Sequence, residues 1–281
     1  MRIAVAALAI GLGHPSFGQA YDASAEMPIG ARRAEAPAGW TLTLGAAPVL
    51  SPAWLGSKDM SLSLFPDIRV NYGDTIFASV PDGIGWNALN SAGWKAGPLV
   101  KVRFGRNESR GGSPFIITGG SDALIGMGNI PIAAELGGFA EKRWGAVGQW
   151  RARAEMRRGF GGHEGVLAEA SLSYQARFGR TIMSVGPRAT VASGDFMRTY
   201  FGTDTGQSQR TGLAPYRPGG GLMTYGIGGA LIRPLNARSV VTLFSGLDRL
   251  GNAAARAPLI RERGQRTQFS LGVGYGYRFS L

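Results

Sequence analysis

Apolar and polar residues alternate with a period of two along most of this chain. In the stretch 149–157 the apolar positions are Trp150, Ala152, Ala154 and Met156. The positions between them are polar or charged, namely Gln149, Arg151, Arg153, Glu155 and Arg157. Successive side chains of a β-strand point to opposite faces of the sheet, so the alternation predicts a strand with one apolar and one polar face.

The same alternation recurs in ten further stretches. Many of them are about 10 to 15 residues long, whereas strands of soluble sheets usually have about 5 to 6 residues. A tilted transmembrane strand needs about 9 to 11 residues. The pattern therefore predicts an all-β fold, an antiparallel transmembrane β-barrel with its apolar set facing lipid and its polar set facing the lumen. The stretches are 40–44, 62–72, 76–88, 94–104, 130–140, 166–178, 181–193, 221–235, 238–247 and 268–281.

The number of strands follows from the topology of such barrels. A bacterial barrel with both ends in the periplasm has an even number of strands. We place a further strand in 195–204 and predict about 12 strands, with 10 as the alternative. Gly, Asn, Arg and Pro mark 107–129 and 249–265 as connections. A soluble periplasmic β-sandwich would also alternate, and it is the competing architecture.

The N-terminus has the pattern of an export signal. Arg2 precedes an apolar run from Ile3 to Gly13, and a cleavage site with small residues follows, either Ser16 to Gly18 or Gly18 to Ala20. The run is shorter than the roughly 20 residues that a transmembrane helix needs. We predict a signal peptide at 1–20, a periplasmic lead-in at 21–39 and an outer-membrane β-barrel at 40–281.

The amino-acid composition limits which folds and which kinds of binding site the chain can form. Gly accounts for 45 of the 281 residues, more than twice its usual share of about 7%, which disfavours a helical fold. The chain has no Cys and 2 His, so we expect no metal site and no cofactor. Lys and Arg exceed Asp and Glu by 30 to 18. The arginines are spread along the chain, which favours outer membrane lipid, lipopolysaccharide or a charged lumen as their partner, and no nucleic acid.

Several positions receive a role from their face of the predicted strands. The expected lumen-facing charges are Arg151, Arg153, Glu155, Arg157, Glu169 and Arg177, with the two glutamates as salt-bridge partners. The expected aromatic girdle at the membrane interface includes Trp40, Tyr72, Trp94 and Tyr277.

The chain offers little catalytic chemistry. His163 and Glu164 lie beside glycines in an expected hairpin turn, where a solvated histidine is more common than a catalytic one. The Gly159–Gly162 and Gly219–Gly221 segments lack the flanking residues of phosphate-binding loops. We therefore expect no catalytic residue and no enzymatic activity.

Particular residues along the mature chain resemble the MltA-interacting protein (MipA/OmpV) family of outer-membrane proteins. This resemblance implies a barrel in the bacterial outer membrane, and a scaffold role that brings a murein hydrolase and a murein synthase together. Asn129, Thr211 and Leu281 depart from the family pattern. The matching positions are Pro52, Trp54, Gly56, Ser57, Phe65, Pro66, Tyr72 to Asp74, Phe77, Gly105, Arg106, Leu124 to Ile130, Tyr200 to Gly202, Thr211 to Tyr216, Gly219 to Gly221, Arg249 to Gly251, Pro258 and Leu259.

Two functions follow as hypotheses. The first is a scaffold or interaction protein for the cell-envelope murein machinery, and the second is a small Arg-lined channel that favours anions. The resemblance to outer-membrane barrels also implies an assembly signal in the last strand, carried by Tyr275, Tyr277, Phe279 and Leu281.

Overall fold

The computed structural model describes residues 39–146 and 149–280. The predicted signal peptide, the predicted lead-in up to residue 38, and Leu281 lie outside the described residues. The strands are β1 (Trp40–Pro52), β2 (Met60–Tyr72), β3 (Ile76–Ser79), β4 (Gly83–Trp86), β5 (Leu89–Ser91), β6 (Trp94–Arg103), β7 (Ile116–Gly119), β8 (Ala133–Trp144), β9 (Trp150–Gly161), β10 (Val166–Phe178), β11 (Thr181–Ala192), β12 (Gly221–Pro234), β13 (Ser239–Leu250) and β14 (Thr267–Ser280).

The strands form one closed antiparallel ring. β1 pairs with β2 on one side, with Trp40 opposite Tyr72, and with β14 on the other, with Leu44 opposite Tyr277. Two short strands are not counted in the ring. Among the described residues, β7 pairs only with β2, and β5 follows β4 in the chain and pairs with the same neighbour, β6. Twelve strands therefore complete the barrel, as predicted. A closed ring is the form in which strands can cross hydrocarbon, because closure gives the first and last strands partners on both sides.

The twelfth strand does not lie where the sequence placed it. The first seven residues of 195–204 belong to the helix Gly194–Phe201, so the prediction of a strand there was wrong. The additional strand comes instead from 76–88, which folds into the β3–β4 hairpin. Ile76 pairs with Trp86 and Ala78 with Ile84, so even-numbered residues point outward on both arms. The apolar alternation consequently runs through the turn and looks like one long strand.

The two ends of the barrel differ. At the turn end, where β1 begins and β14 ends, neighbouring strands are joined by 73–75, 92–93, 179–180 and 235–238. β8 also ends there and β9 begins there. The opposite end, called the cap end, carries 53–59, 104–132, 162–165, 193–220 and 251–266. Outer-membrane barrels have short periplasmic turns and longer extracellular loops, so the turn end faces the periplasm.

The outer face is apolar and its aromatic residues are concentrated at the turn end. Trp40, Tyr72, Trp94 and Tyr277 all point outward there, as predicted for a girdle. Trp144 and Trp150 extend the girdle, with their rings stacked at a centroid distance of 6.4 Å. Amphipathic rings of this kind favour the membrane–water interface.

The cap-end loops fold into a packed layer. It contains a 3₁₀ turn at Asp122–Leu124 and the helices α1 (Gly194–Phe201), α2 (Thr205–Thr211), α3 (Asn252–Ala255) and α4 (Pro258–Arg263). α2 begins with a capping box in which Asp204 and Gln207 satisfy each other's backbone N–H groups, and Pro258 starts α4. In the described part of the chain, no helix is both long enough and apolar enough to cross a membrane.

The abundant glycine has a structural reason on the inner wall. A Cβ atom on Gly272 would lie 2.3 Å from the Phe244 ring, and one on Gly85 would lie 2.2 Å from the Phe77 ring. Each glycine is directly opposite its aromatic partner on the next strand. Glycine therefore lets an inward-pointing ring lie flat on the sheet.

Candidate functional site

A network of ion pairs covers the inner wall formed by β6, β8, β9 and β10. Arg157 lies at its centre, since its Nε donates to Glu135 Oε2 at 2.9 Å and its other nitrogens donate to Glu155 and Glu169. Glu135 also binds Arg103 of β6. Each of these side chains is at least nine-tenths buried. Pairing is needed there because an unpaired buried charge would be costly.

A second group of charges lies toward the turn end. Glu141 accepts hydrogen bonds from Arg143 at 2.9 Å and Arg151 at 2.8 Å. Arg153 lies between the two groups and donates to both Glu141 and Glu155. Lys101 Nζ lies 2.9 Å from Glu155 Oε2. The wall is thus one continuous chain of alternating cations and carboxylates.

The structure brings most of the predicted lumen charges together. Arg151, Arg153, Glu155, Arg157 and Glu169 all belong to the network. Arg177 lies at the turn end of β10, where its side chain is exposed and its Nε donates to Gly179 O at 3.0 Å.

Sequence reasoning missed five other members of the network, namely Lys101, Arg103, Glu135, Glu141 and Arg143. Glu135, Glu141 and Arg143 share one parity in β8, as Lys101 and Arg103 do in β6. Glycines and the inward-facing Phe139 interrupt that polar face of β8, so the alternation of charged and apolar residues is hard to recognise in the sequence.

Other inward arginines are also paired. Arg69 Nε donates to Asp67 Oδ1 at 2.6 Å, and Arg188 Nε donates to Asp248 Oδ1 at 2.8 Å. The lumen is therefore rich in arginine, but its carboxylates offset much of the positive charge.

His163 does not have the environment expected from the sequence. The prediction of a solvated turn residue was wrong, because the side chain is buried and its Nε2 lies 3.0 Å from Glu135 Oε1. The Gly165 N–H donates to His163 Nδ1, so Nε2 carries the proton and donates to the carboxylate. The ring also packs edge-on against Phe196 of α1. With both nitrogens in use, His163 joins the cap to the barrel wall.

The mouth of the barrel at the cap end is covered by an apolar cluster. Inward-facing Leu167, Ala192, Met223 and Leu250 supply one side of it, from β10 to β13. The loops 53–59 and 104–132 supply the other side, so the cluster crosses the mouth. Its remaining buried members are Ala53, Trp54, Leu124, Met127, Phe196, Met197, Tyr200, Phe201, Leu213, Ala254, Ala257, Leu259 and Ile260.

Arg106 and Tyr200 lie within the cap. Arg106 Nη1 donates to Tyr200 O at 2.8 Å, which ties the β6–β8 loop to α1. Burial lowers the pKa of the Arg106 guanidinium to about 10, and burial raises the pKa of the Tyr200 hydroxyl. Among residues 39–146 and 149–280, no carboxylate forms an ion pair with Arg106. Its charge is therefore held by backbone oxygen.

The residues that carried the family resemblance are concentrated in this cap. Trp54, Leu124, Phe201, Leu250 and Leu259 are all fully buried in its apolar cluster. They lie in five separate segments of the sequence and meet only in the folded chain. The residues that resemble the family are therefore mainly those that form the cap over the mouth of the barrel.

The terminal strand carries its aromatic residues on the lipid-facing side. Tyr275 and Phe279 are exposed on the outer wall, and the rings of Tyr277 and Phe279 are 4.8 Å apart. β14 hydrogen-bonds to both β13 and β1. It is therefore the strand that closes the barrel.

The chain is similar to one protein family in sequence and to several solved outer-membrane proteins in structure. The family model described as MltA-interacting protein MipA matches residues 44–279. An outer membrane channel from Pseudomonas putida F1 is similar with a TM-score of 0.44 and 13% identity, over 90% of this chain and 100% of that one. An anion-selective porin from Comamonas acidovorans has a TM-score of 0.30 and 9% identity, over 85% and 98%. No curated protein matches the chain in sequence.

Proposed function

The chain is a bacterial outer-membrane β-barrel that belongs to the MltA-interacting protein MipA family, and from this we propose that it is a non-enzymatic scaffold for murein machinery. In this role it would hold a murein hydrolase and a murein synthase at the inner surface of the outer membrane. The observation that carries the proposal is the apolar cluster across the cap-end mouth. A docking platform needs no water path through the lumen, whereas a channel does.

The turn end is the face that would meet these enzymes, because it faces the periplasm. Its exposed charged side chains are mainly cationic, and the acidic residue Asp74 there is already paired with Lys95. A surface of this kind favours partners with acidic patches. The exposed cations are Arg177, Arg180, Arg233, Arg238 and Arg278.

The test is direct binding of the barrel, in lipid nanodiscs, to a purified membrane-bound murein hydrolase and a purified murein synthase. We expect micromolar or tighter binding that weakens as salt is raised. A double variant, Arg180→Ser with Arg238→Ser, should weaken binding. The matched control, Arg217→Ser with Arg261→Ser, removes two exposed cap-end cations and should not. Binding of neither enzyme would contradict the proposal.

The alternative is a small anion-favouring channel. A polar pocket of about 90 Å³ opens near the turn end and is lined by Lys95, Arg143 and Arg153, which supports this reading. The paired carboxylates and the covered mouth weigh against it. Conductance in planar bilayers separates the two functions, since steady anion-selective steps favour a channel and an absence of conductance favours the scaffold.

A further inference from the structure

The lipid-facing wall carries an apolar groove across β10 to β14. Its volume is about 870 Å³. The small side chains of Ala170 and Ala189 lie in it, and larger side chains, Leu172, Ile227 and Leu247, also line it. All of these side chains point away from the lumen. The groove is therefore open to the membrane.

Two arginines line this groove, Arg188 and Arg249. Arg188 is buried on the inner side and paired with Asp248, so Arg249 is the cation that faces the membrane. Arg249 points outward from β13, because its neighbours Asp248 and Leu250 are buried on the inner side. It lies directly opposite Tyr225 on β12 and Thr267 on β14, and both residues also line the groove. In the described parts of the chain, no carboxylate forms an ion pair with Arg249.

The position of Arg249 shows which leaflet of the membrane its side chain faces. β13 ends at Leu250 at the cap end, so the guanidinium lies at the extracellular rim. The groove runs from there across the neighbouring strands, along the register Arg249, Tyr225, Ala189 and Ala170. Leu172 and Ile227 extend it toward the middle of the wall. An isolated guanidinium on a lipid-facing wall is favoured when an anion pairs with it, and phosphate suits its geometry.

We propose that this groove binds a phosphorylated glycolipid of the outer leaflet, with an acyl chain along Ala170 and Ala189 and a phosphate on Arg249. The Tyr225 and Thr267 hydroxyls are placed to complete the headgroup contacts. The proposal depends on the membrane location and orientation of the barrel and not on the scaffold role, so either can fail without the other.

The experiment measures lipid retained by the full-length barrel in detergent, by native mass spectrometry, with bis-phosphorylated lipid A as the probe. Arg249→Gln should reduce the bound fraction by about fivefold, the loss expected for one cation near a charged lipid surface. The matched control Arg158→Gln removes another exposed, outward cap-end arginine that lies outside the groove, and it should bind normally.

A second pair of variants tests the acyl part of the groove. Ala170→Leu would fill the groove and should reduce binding, whereas Ala154→Leu, the residue opposite on β9 and outside the groove, should not. Each variant must keep its heat-modifiable mobility on gels, which reports a folded barrel. Lipid A with its phosphates removed should bind wild-type protein and Arg249→Gln equally.

Three results would overturn the inference. The first is equal lipid A binding by wild-type protein and a folded Arg249→Gln variant. The second is an equal loss from Ala170→Leu and Ala154→Leu. The third is equal retention of phosphatidylglycerol and lipid A by wild-type protein, because this would make the site a general anionic contact.

Discussion

His163 Nε2 lies 3.0 Å from Glu135 Oε1, and this contact joins the β9–β10 loop to the inner wall of the barrel. The same carboxylate binds Arg103 and Arg157. Glu135 is thus shared between the cap and the charged wall, and its removal should affect both.

Replacing Glu135 by Gln should destabilise the barrel by about 3 to 5 kcal/mol, because two buried guanidinium groups lose their shared anion. The free energy of unfolding in urea, measured in lipid vesicles, checks this. The control Glu164→Gln changes an exposed carboxylate in the same loop and should stay within about 0.5 kcal/mol of wild type. Equal stability of the two variants would show that the ion-pair network contributes little.

The cap should unfold separately from the barrel. Phe196 is fully buried in the cap cluster, and Phe196→Ala should cost the cap about 3 to 5 kcal/mol through the cavity it leaves. We expect faster hydrogen exchange and proteolysis in 193–220, with unchanged heat-modifiable mobility of the barrel. Gln209→Ala, on the exposed side of α2, is the control. Unfolding of the whole barrel in Phe196→Ala would contradict this independence.

A charged side chain on the lipid-facing side of β9 should destabilise the folded barrel. Ala154→Arg should cost about 2 to 4 kcal/mol of folding free energy, because Ala154 is exposed on the outer wall near the middle of its strand. Ala154→Leu adds size without charge and should fold in vesicles with wild-type yield. If both variants fold equally well, the assignment of faces is wrong.

The last strand should carry the assembly signal. Deleting Phe279 to Leu281 should reduce the fraction that reaches the outer membrane, because it removes part of the expected signal and leaves Thr41 and Leu42 of β1 without their β14 partners. The substitution Phe279→Leu distinguishes recognition from lipid packing: recognition predicts a clear loss, and packing alone predicts a small one. Normal assembly of both variants would exclude this strand as the signal.

Much of the barrel could be predicted from the sequence because its information is local. Each transmembrane strand places one face in hydrocarbon and the other in the lumen, so a period of two is imposed along every strand. The faces of β9 and β10, the aromatic girdle and the number of strands follow from that pattern and from the even-number rule, although the twelfth strand was placed in 195–204 and lies in 76–88. The β3–β4 hairpin shows where this pattern fails as a guide to strand number. The alternation that includes Ala78 and Ile84 continues through a turn, so two strands look like one.

The cap could not be predicted in the same way, because the residues that form it are far apart in the chain. Trp54, Leu124, Phe201 and Leu259 lie in loops with no repeating pattern, and they become one core only when the barrel brings its loops together. The same holds for His163, whose partner Glu135 is 28 residues away. The sequence by itself determined the strands and their two faces, since alternation is set by the solvent on each side. Only the tertiary structure decided which charges pair and that an apolar cluster covers the mouth, because both depend on contacts across the barrel.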